Sequence, residues 1–163
     1  MEDVVKIASY IGSRYYKEYG LKIDEMKLHK LLYFTQRECI AQTGEPMFDA
    51  TFYAWMYGPV LPDIRALYKQ DLLHDLPSEE SVKKYLPIFD IVFKDLASTK
   101  SVMLSAISHG EVSWKKARAG YRKYDESNVP MELEDIYEDA RRYKERCLKL
   151  QELEKSEKEN YRG

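Results

Sequence analysis

The sequence predicts a mainly α fold, a compact single-domain bundle of seven or eight helices with a short extended aromatic insert near Thr51–Tyr57. Three observations predict it. Apolar residues recur at three- and four-residue steps through most of the chain, the spacing of helices with one buried face. Asp or Ser precedes several of these runs and Gly follows them, which is how helices start and stop. One stretch, TFYAWMYGPV, departs from the pattern: four of its ten residues are aromatic and it closes on Gly58-Pro59.

The first helix is expected over Asp3 to Tyr19, with Val4, Ile7, Ala8, Ile11 and Tyr15 on one face, Asp3 as cap and Gly20 as stop. The second runs from Asp24 to Thr43 and ends at Gly44. Leu28, Leu31, Leu32, Thr35 and Cys39 form its stripe, and Tyr33 and Phe34 widen it, so this helix is expected at the centre, packed on more than one side. Gly44 and Pro46 break it. Phe52, Tyr53, Trp55 and Tyr57 favour extended backbone, and Pro59 forces Gly58 away from the right-handed helix.

A third helix is expected from Leu61 to Lys69, with Pro62 in its first turn. Ser78 caps a helix over Glu79 to Tyr85, and Pro87 separates it from another over Ile88 to Leu96. A helix beginning at Ser98 draws apolar contacts from Val102, Leu104, Ala106 and Ile107 and ends at Gly110. A short helix carries Trp114. The last begins near Glu132 and runs past Leu150 on Ile136, Ala140, Tyr143, Cys147 and Leu150. Residues 1–150 read as the domain; 151–163 read as a polar tail, frayed or disordered, because apolar residues are few there.

The 163 residues contain 44% hydrophobic and 33% charged side chains, with 14 Tyr against 5 Phe. Tyr combines apolar area with a hydroxyl and suits half-buried faces and interfaces. A net charge of -2 offers no broad basic field, which makes nucleic acid an unlikely partner. No apolar run reaches membrane-spanning length, and the acidic start MEDVVKIASY lacks the features of a secretory signal, so a cytoplasmic protein is expected. Cys39 and Cys147 read as free buried thiols.

Catalytic, cofactor-binding and metal-binding residues are all expected to be absent. His29, His74 and His109 stand in no metal-ligand spacing, the glycines form no phosphate loop, and no local nucleophile signature occurs. Acidic pairs such as Glu79-Glu80 fall at helix starts, where the helix dipole explains them. His109, near a helix end, is expected to serve the fold by meeting carbonyls there or in a neighbouring loop. A binding protein is expected rather than an enzyme.

The segment Met26 to Lys69 resembles the opening half of the Panacea domain, a family also described as SocA-like or phage GepA-like. Lys27-Leu28-His29-Lys30-Leu31-Leu32-Tyr33 matches its K-L-x-K-L-L-Y helix. Gly44-Glu45-Pro46-Met47-Phe48 matches G-x-P-L-F, and Ala54 to Pro62 matches A-W-x-Y-G-P-V-x-P. Downstream, His109 and Trp114-Lys115-Lys116-Ala117 stand in the family's order. Met47 replaces the usual Leu, and Ser113 stands where Pro is common. The resemblance implies an antitoxin of a phage-associated toxin–antitoxin pair that binds and neutralises a protein toxin encoded beside it. One branch acts instead as an adaptor delivering its toxin to a cytoplasmic AAA+ protease. It marks Lys27, Lys30, Tyr33, Trp55, Tyr57, Gly58, Pro59, His109 and Trp114 as motif residues, structural or partner-binding.

Overall fold

In the computed structural model, which describes residues 1–162, seven α-helices are arranged with one of them at the centre and a two-stranded hairpin on its flank. Helix α1 spans Val4–Tyr19 and α2 Glu25–Thr43. Asp3 and Asp24 accept backbone hydrogen bonds as N-caps, and Gly20 and Gly44 end the helices in the left-handed conformation. Every residue of α2 from Lys27 to Ile40 is buried, polar ones included. That is what an apolar sector too wide for one face demands: α1, α4, α5, α7 and the hairpin all pack around α2.

The aromatic stretch forms a tight antiparallel hairpin, β1 (Tyr53–Trp55) and β2 (Gly58–Val60), joined through Met56 and Tyr57. Extended backbone was expected; the reversal was not. Ala54 is fully buried while Tyr53 and Trp55 on the opposite face are half-buried. The α6–α7 connection runs along the other side of β1, where Ala54 donates to the Val129 carbonyl at 2.9 Å and Met131 to the Phe52 carbonyl at 2.8 Å. Both edges of β1 are therefore covered.

Helix α3 (Pro62–Lys69) follows the expectation. Helix α4 corrects one: Pro87 does not separate two helices but lies inside a single one, Glu79–Val92, which widens into a π-helical turn at Phe93–Ala97. Pro87 removes one backbone bond, but Pro87 and Lys83 face solvent, so water can satisfy the freed carbonyl. Burial of Tyr85, Ile88, Phe89, Val92 and Phe93 holds the rest in line. Helix α5 (Ser101–Ser108) starts three residues later than expected. Helix α6 spans Val112–Ala117.

Helix α7 spans Leu133–Arg162, taking in residues 151–162 of the polar tail. It stays helical to Arg162 although its side chains beyond Cys147 are exposed. Good helix formers fill the segment, and Glu154/Lys158 and Lys155/Glu159 stand four apart with opposite charge.

Candidate functional site

The hairpin is held from four sides by the motif residues and their neighbours. From α2, Lys30 Nζ donates to the Pro59 carbonyl at 3.0 Å, and the Leu61 backbone N–H donates to His29 Nδ1 at 3.3 Å. From α5, Ser105 Oγ donates to the Tyr57 carbonyl at 2.6 Å. From α6, Trp114 Nε1 donates to the Trp55 carbonyl at 2.9 Å. From the α6–α7 connection, Ser127 Oγ donates to the Ala54 carbonyl, and Asn128 Oδ1 accepts from Trp55 Nε1 at 3.0 Å. A short hairpin is marginal on its own, so these side chains specify its shape.

Each motif residue has a place in this arrangement. Lys27 is buried at the start of α2, donating to the Ala97 carbonyl at 2.8 Å and thereby tying down the end of the π-helical turn. Lys30 lies beneath Gly58 and Pro59. Gly58 adopts a φ of +111°. His109 is the C-cap residue of α5 and stacks on Trp114, ring centroids 4.0 Å apart. Burial lowers its pKa, nearby Lys30 adds to this, and a backbone hydrogen bond at Met56 opposes it. Trp55 is half-buried, with the Arg65 guanidinium 5.4 Å from its ring centroid. Only Tyr57, at 56% exposure, stands well clear of the surface.

Tyr33 belongs to a second, buried network that local sequence does not reveal. Its hydroxyl donates to Asp139 Oδ2 at 2.6 Å and lies 3.3 Å from Glu111 Oε2. Arg37 Nη1 donates to Glu111 Oε1 at 2.7 Å. Asp139, from α7, also accepts from the backbone N–H groups of Val112 at 2.6 Å and Ser113 at 3.3 Å, and from Ser113 Oγ. It thus caps α6 from another helix. Burial raises the Glu111 pKa while Arg37 opposes that rise. The network joins α2, α6 and α7, and through Trp114 it fixes the hairpin.

Helix α5 corrects a further expectation. Leu104 is buried as expected, but Val102, Ala106 and Ile107 are not core contacts. The helix is turned the other way, with Ser105 and Ser108 buried against the hairpin. Val102 (74% exposed), Met103 (54%) and Ile107 (41%) face solvent.

The family model described as Antitoxin SocA-like, Panacea domain, matches residues 28–115, more than half of the chain. The chain belongs to this family. The matched segment runs from Leu28 in α2 to Lys115 in α6, so it takes in the Panacea hairpin and its supports from α2, α5 and α6. Asp139, which caps α6, lies outside it. No curated protein and no solved structure matches the chain. No helix among the described residues is long and apolar enough to cross a membrane.

In this Panacea domain Trp55 is a lid on the hairpin rather than a core residue. Trp55→Ala is therefore expected to cost about 1–3 kcal/mol, less than truncation of a fully buried Trp. Urea unfolding of the two proteins measures it.

Proposed function

We infer that the protein is an antitoxin that binds a protein toxin encoded beside it and neutralises it by direct contact, without catalysis. The observation that carries the reading is the inverted polarity of α5. A surface helix ordinarily turns its aliphatic side chains inward. Here Ser105 and Ser108 join Leu104 on the inner face, while Val102, Met103 and Ile107 lie outside. Exposed apolar side chains grouped on one helix face mark a protein interface, and Met is enriched in such surfaces, as is Tyr, which stands exposed at the hairpin turn. Family membership supplies the kind of partner.

The test is co-purification with the product of the adjacent gene and rescue of growth on co-expression. Ile107→Asp and Tyr57→Ala change exposed side chains and are expected to shift stability by no more than about 0.5 kcal/mol. They should weaken the complex by roughly tenfold or more, as truncation at an interface hot spot does. Binding unchanged in both variants would remove this surface from the interface. Toxin lifetime separates neutralisation by contact from delivery to a AAA+ protease: delivery requires the toxin to persist in cells lacking the protease and toxicity to return. Neutralisation at substoichiometric amounts without a complex would instead indicate catalysis.

A further inference from the structure

A groove of about 740 Å³ opens beside the hairpin, between the first turns of α2, the start of α3 and the connection at 126–128. Trp55, Met56 and Tyr57 give it an apolar wall. His29 and Lys30, each 1% exposed, also line it. Both have hydrogen-bonding capacity that the fold does not use. The one hydrogen bond of Lys30 Nζ among the described residues goes to the neutral Pro59 carbonyl, and no carboxylate is paired with it. Burial lowers the Lys30 pKa to about 7, against the upward pull of Glu25 and Asp24. His29 Nδ1 accepts the Leu61 N–H, so the neutral ring carries its proton on Nε2. Nε2 is buried and has no partner. Burial, with Lys30 and Arg65 adding to it, lowers the His29 pKa to about 3, so the ring is neutral at pH 7.

We propose that this groove receives one carboxylate from the protein partner, an Asp or Glu side chain that enters beside Trp55, pairs with the Lys30 ammonium and accepts from His29 Nε2–H. This rests on the reading of the protein as a binder of another protein. A carboxylate is an acceptor-only group with several lone-pair sites, matching one N–H that lacks an acceptor and one ammonium whose single acceptor is a neutral carbonyl. An apolar side chain would leave His29 Nε2–H unpaired and the Lys30 charge uncompensated, and a cation would meet Lys30. The other charged groups of the groove decide between a carboxylate and a phosphate. Glu25 is held by Arg65 at 2.6 Å, and Glu126 lies exposed at the rim. Two neighbouring carboxylates admit a single negative charge opposite Lys30 more readily than the charge of nearly two on a phosphate monoester. Pairing should also return the Lys30 pKa toward its usual value, because an opposite charge favours the ammonium.

The groove can be examined without the partner. N-acetyl-aspartyl amide and its asparaginyl counterpart differ only in the carboxylate. In NMR titrations of the full chain, the aspartyl compound is expected to give saturable shifts of the Lys30 Cε and His29 ring signals and to raise the Lys30 pKa. The asparaginyl compound should do neither, and Lys30→Met should abolish the effect. Equal responses to the two compounds, or none, would overturn the proposal. In the complex, Lys30→Met should weaken binding at least about thirtyfold, the loss expected on removing one member of a buried charge pair. One partner Asp→Asn or Glu→Gln change should be non-additive with it. A complex indifferent to Lys30→Met also overturns the proposal. Aspartyl binding with no complex formed would leave the groove chemistry standing and reject the partner reading.

Discussion

Asp139→Ala is expected to destabilise the protein by about 3–5 kcal/mol, the cost of breaking a buried charged network from one side. The carboxylate is 1% exposed and accepts four kinds of donor: the Tyr33 hydroxyl, the Ser113 hydroxyl and the backbone N–H groups of Val112 and Ser113. Truncation leaves these donors in a space that alanine does not fill. Tyr33 retains a partner in Glu111 at 3.3 Å, but the start of α6 has no substitute. Asp139→Asn should cost less, about 1–3 kcal/mol, because one amide oxygen still accepts while the amide nitrogen faces a donor. Guanidinium unfolding gives both values, as a shift in midpoint at unchanged slope. A loss below about 1 kcal/mol for the alanine variant would mean that α6 starts without this cap. The effect should also spread: Trp114 ties α6 to the Trp55 carbonyl, so amide exchange in the hairpin should rise before exchange in α1.

The two halves of the fold differ in how far they could be read from sequence. Helices α1 and α2 were legible because their punctuation is local. Asp3, Gly20, Asp24 and Gly44 act on backbone groups within a turn of themselves, and residue type fixes what they do. The central position of α2 followed from the width of its apolar sector. Pro87 misled because its usual effect was outweighed: the side chains around it in α4 are buried in the core, while its own side of the helix faces water. The end of α7 is helical for a different reason. Helix propensity with pairs four residues apart carries the helix where burial is absent.

The candidate site was legible as a motif and not as a mechanism. Lys30, Trp55, Gly58, Pro59, His109 and Trp114 could be singled out, but their contacts join residues far apart in the chain. Lys30 meets Pro59 across 29 positions and Trp114 meets Trp55 across 59. The polarity of α5 was illegible for a related reason. Ser105 is drawn inward by the Tyr57 carbonyl, which exists at that place only once the hairpin has formed. Asp139 lay still further from reading: it is 106 positions from Tyr33 and sits at the acidic start of a helix, where a solvated carboxylate is the ordinary case.

Gly58→Ala is expected to be nearly as costly, at about 3 kcal/mol or more, from two separable causes. The first is backbone strain. Gly58 has a φ of +111°, which an L-residue rarely adopts. The Pro59 ring disfavours a right-handed helical alternative, so the chain has no easy relaxation. The second is contact. A Cβ at this position would stand 2.5 Å from Ser108 Oγ and 2.6 Å from Lys30 Cε. Ser108 is fixed by donating to the Ser105 carbonyl at 2.7 Å, and Lys30 by donating to the Pro59 carbonyl, so neither is free to swing away. A double-mutant cycle separates the causes. Ser108→Ala replaces the nearer oxygen with hydrogen and should recover part of the loss in the Gly58→Ala background, leaving the strain and the Lys30 contact. Full recovery would place the whole cost in the serine contact, and no recovery would place it in the backbone and Lys30. In either case Lys30 must shift if Cβ is to fit, so Gly58→Ala should also raise the Lys30 pKa above about 7 as the displaced ammonium gains water. The same NMR titration reads that shift, and an unchanged value would mean that the hairpin moves and Lys30 stays in place.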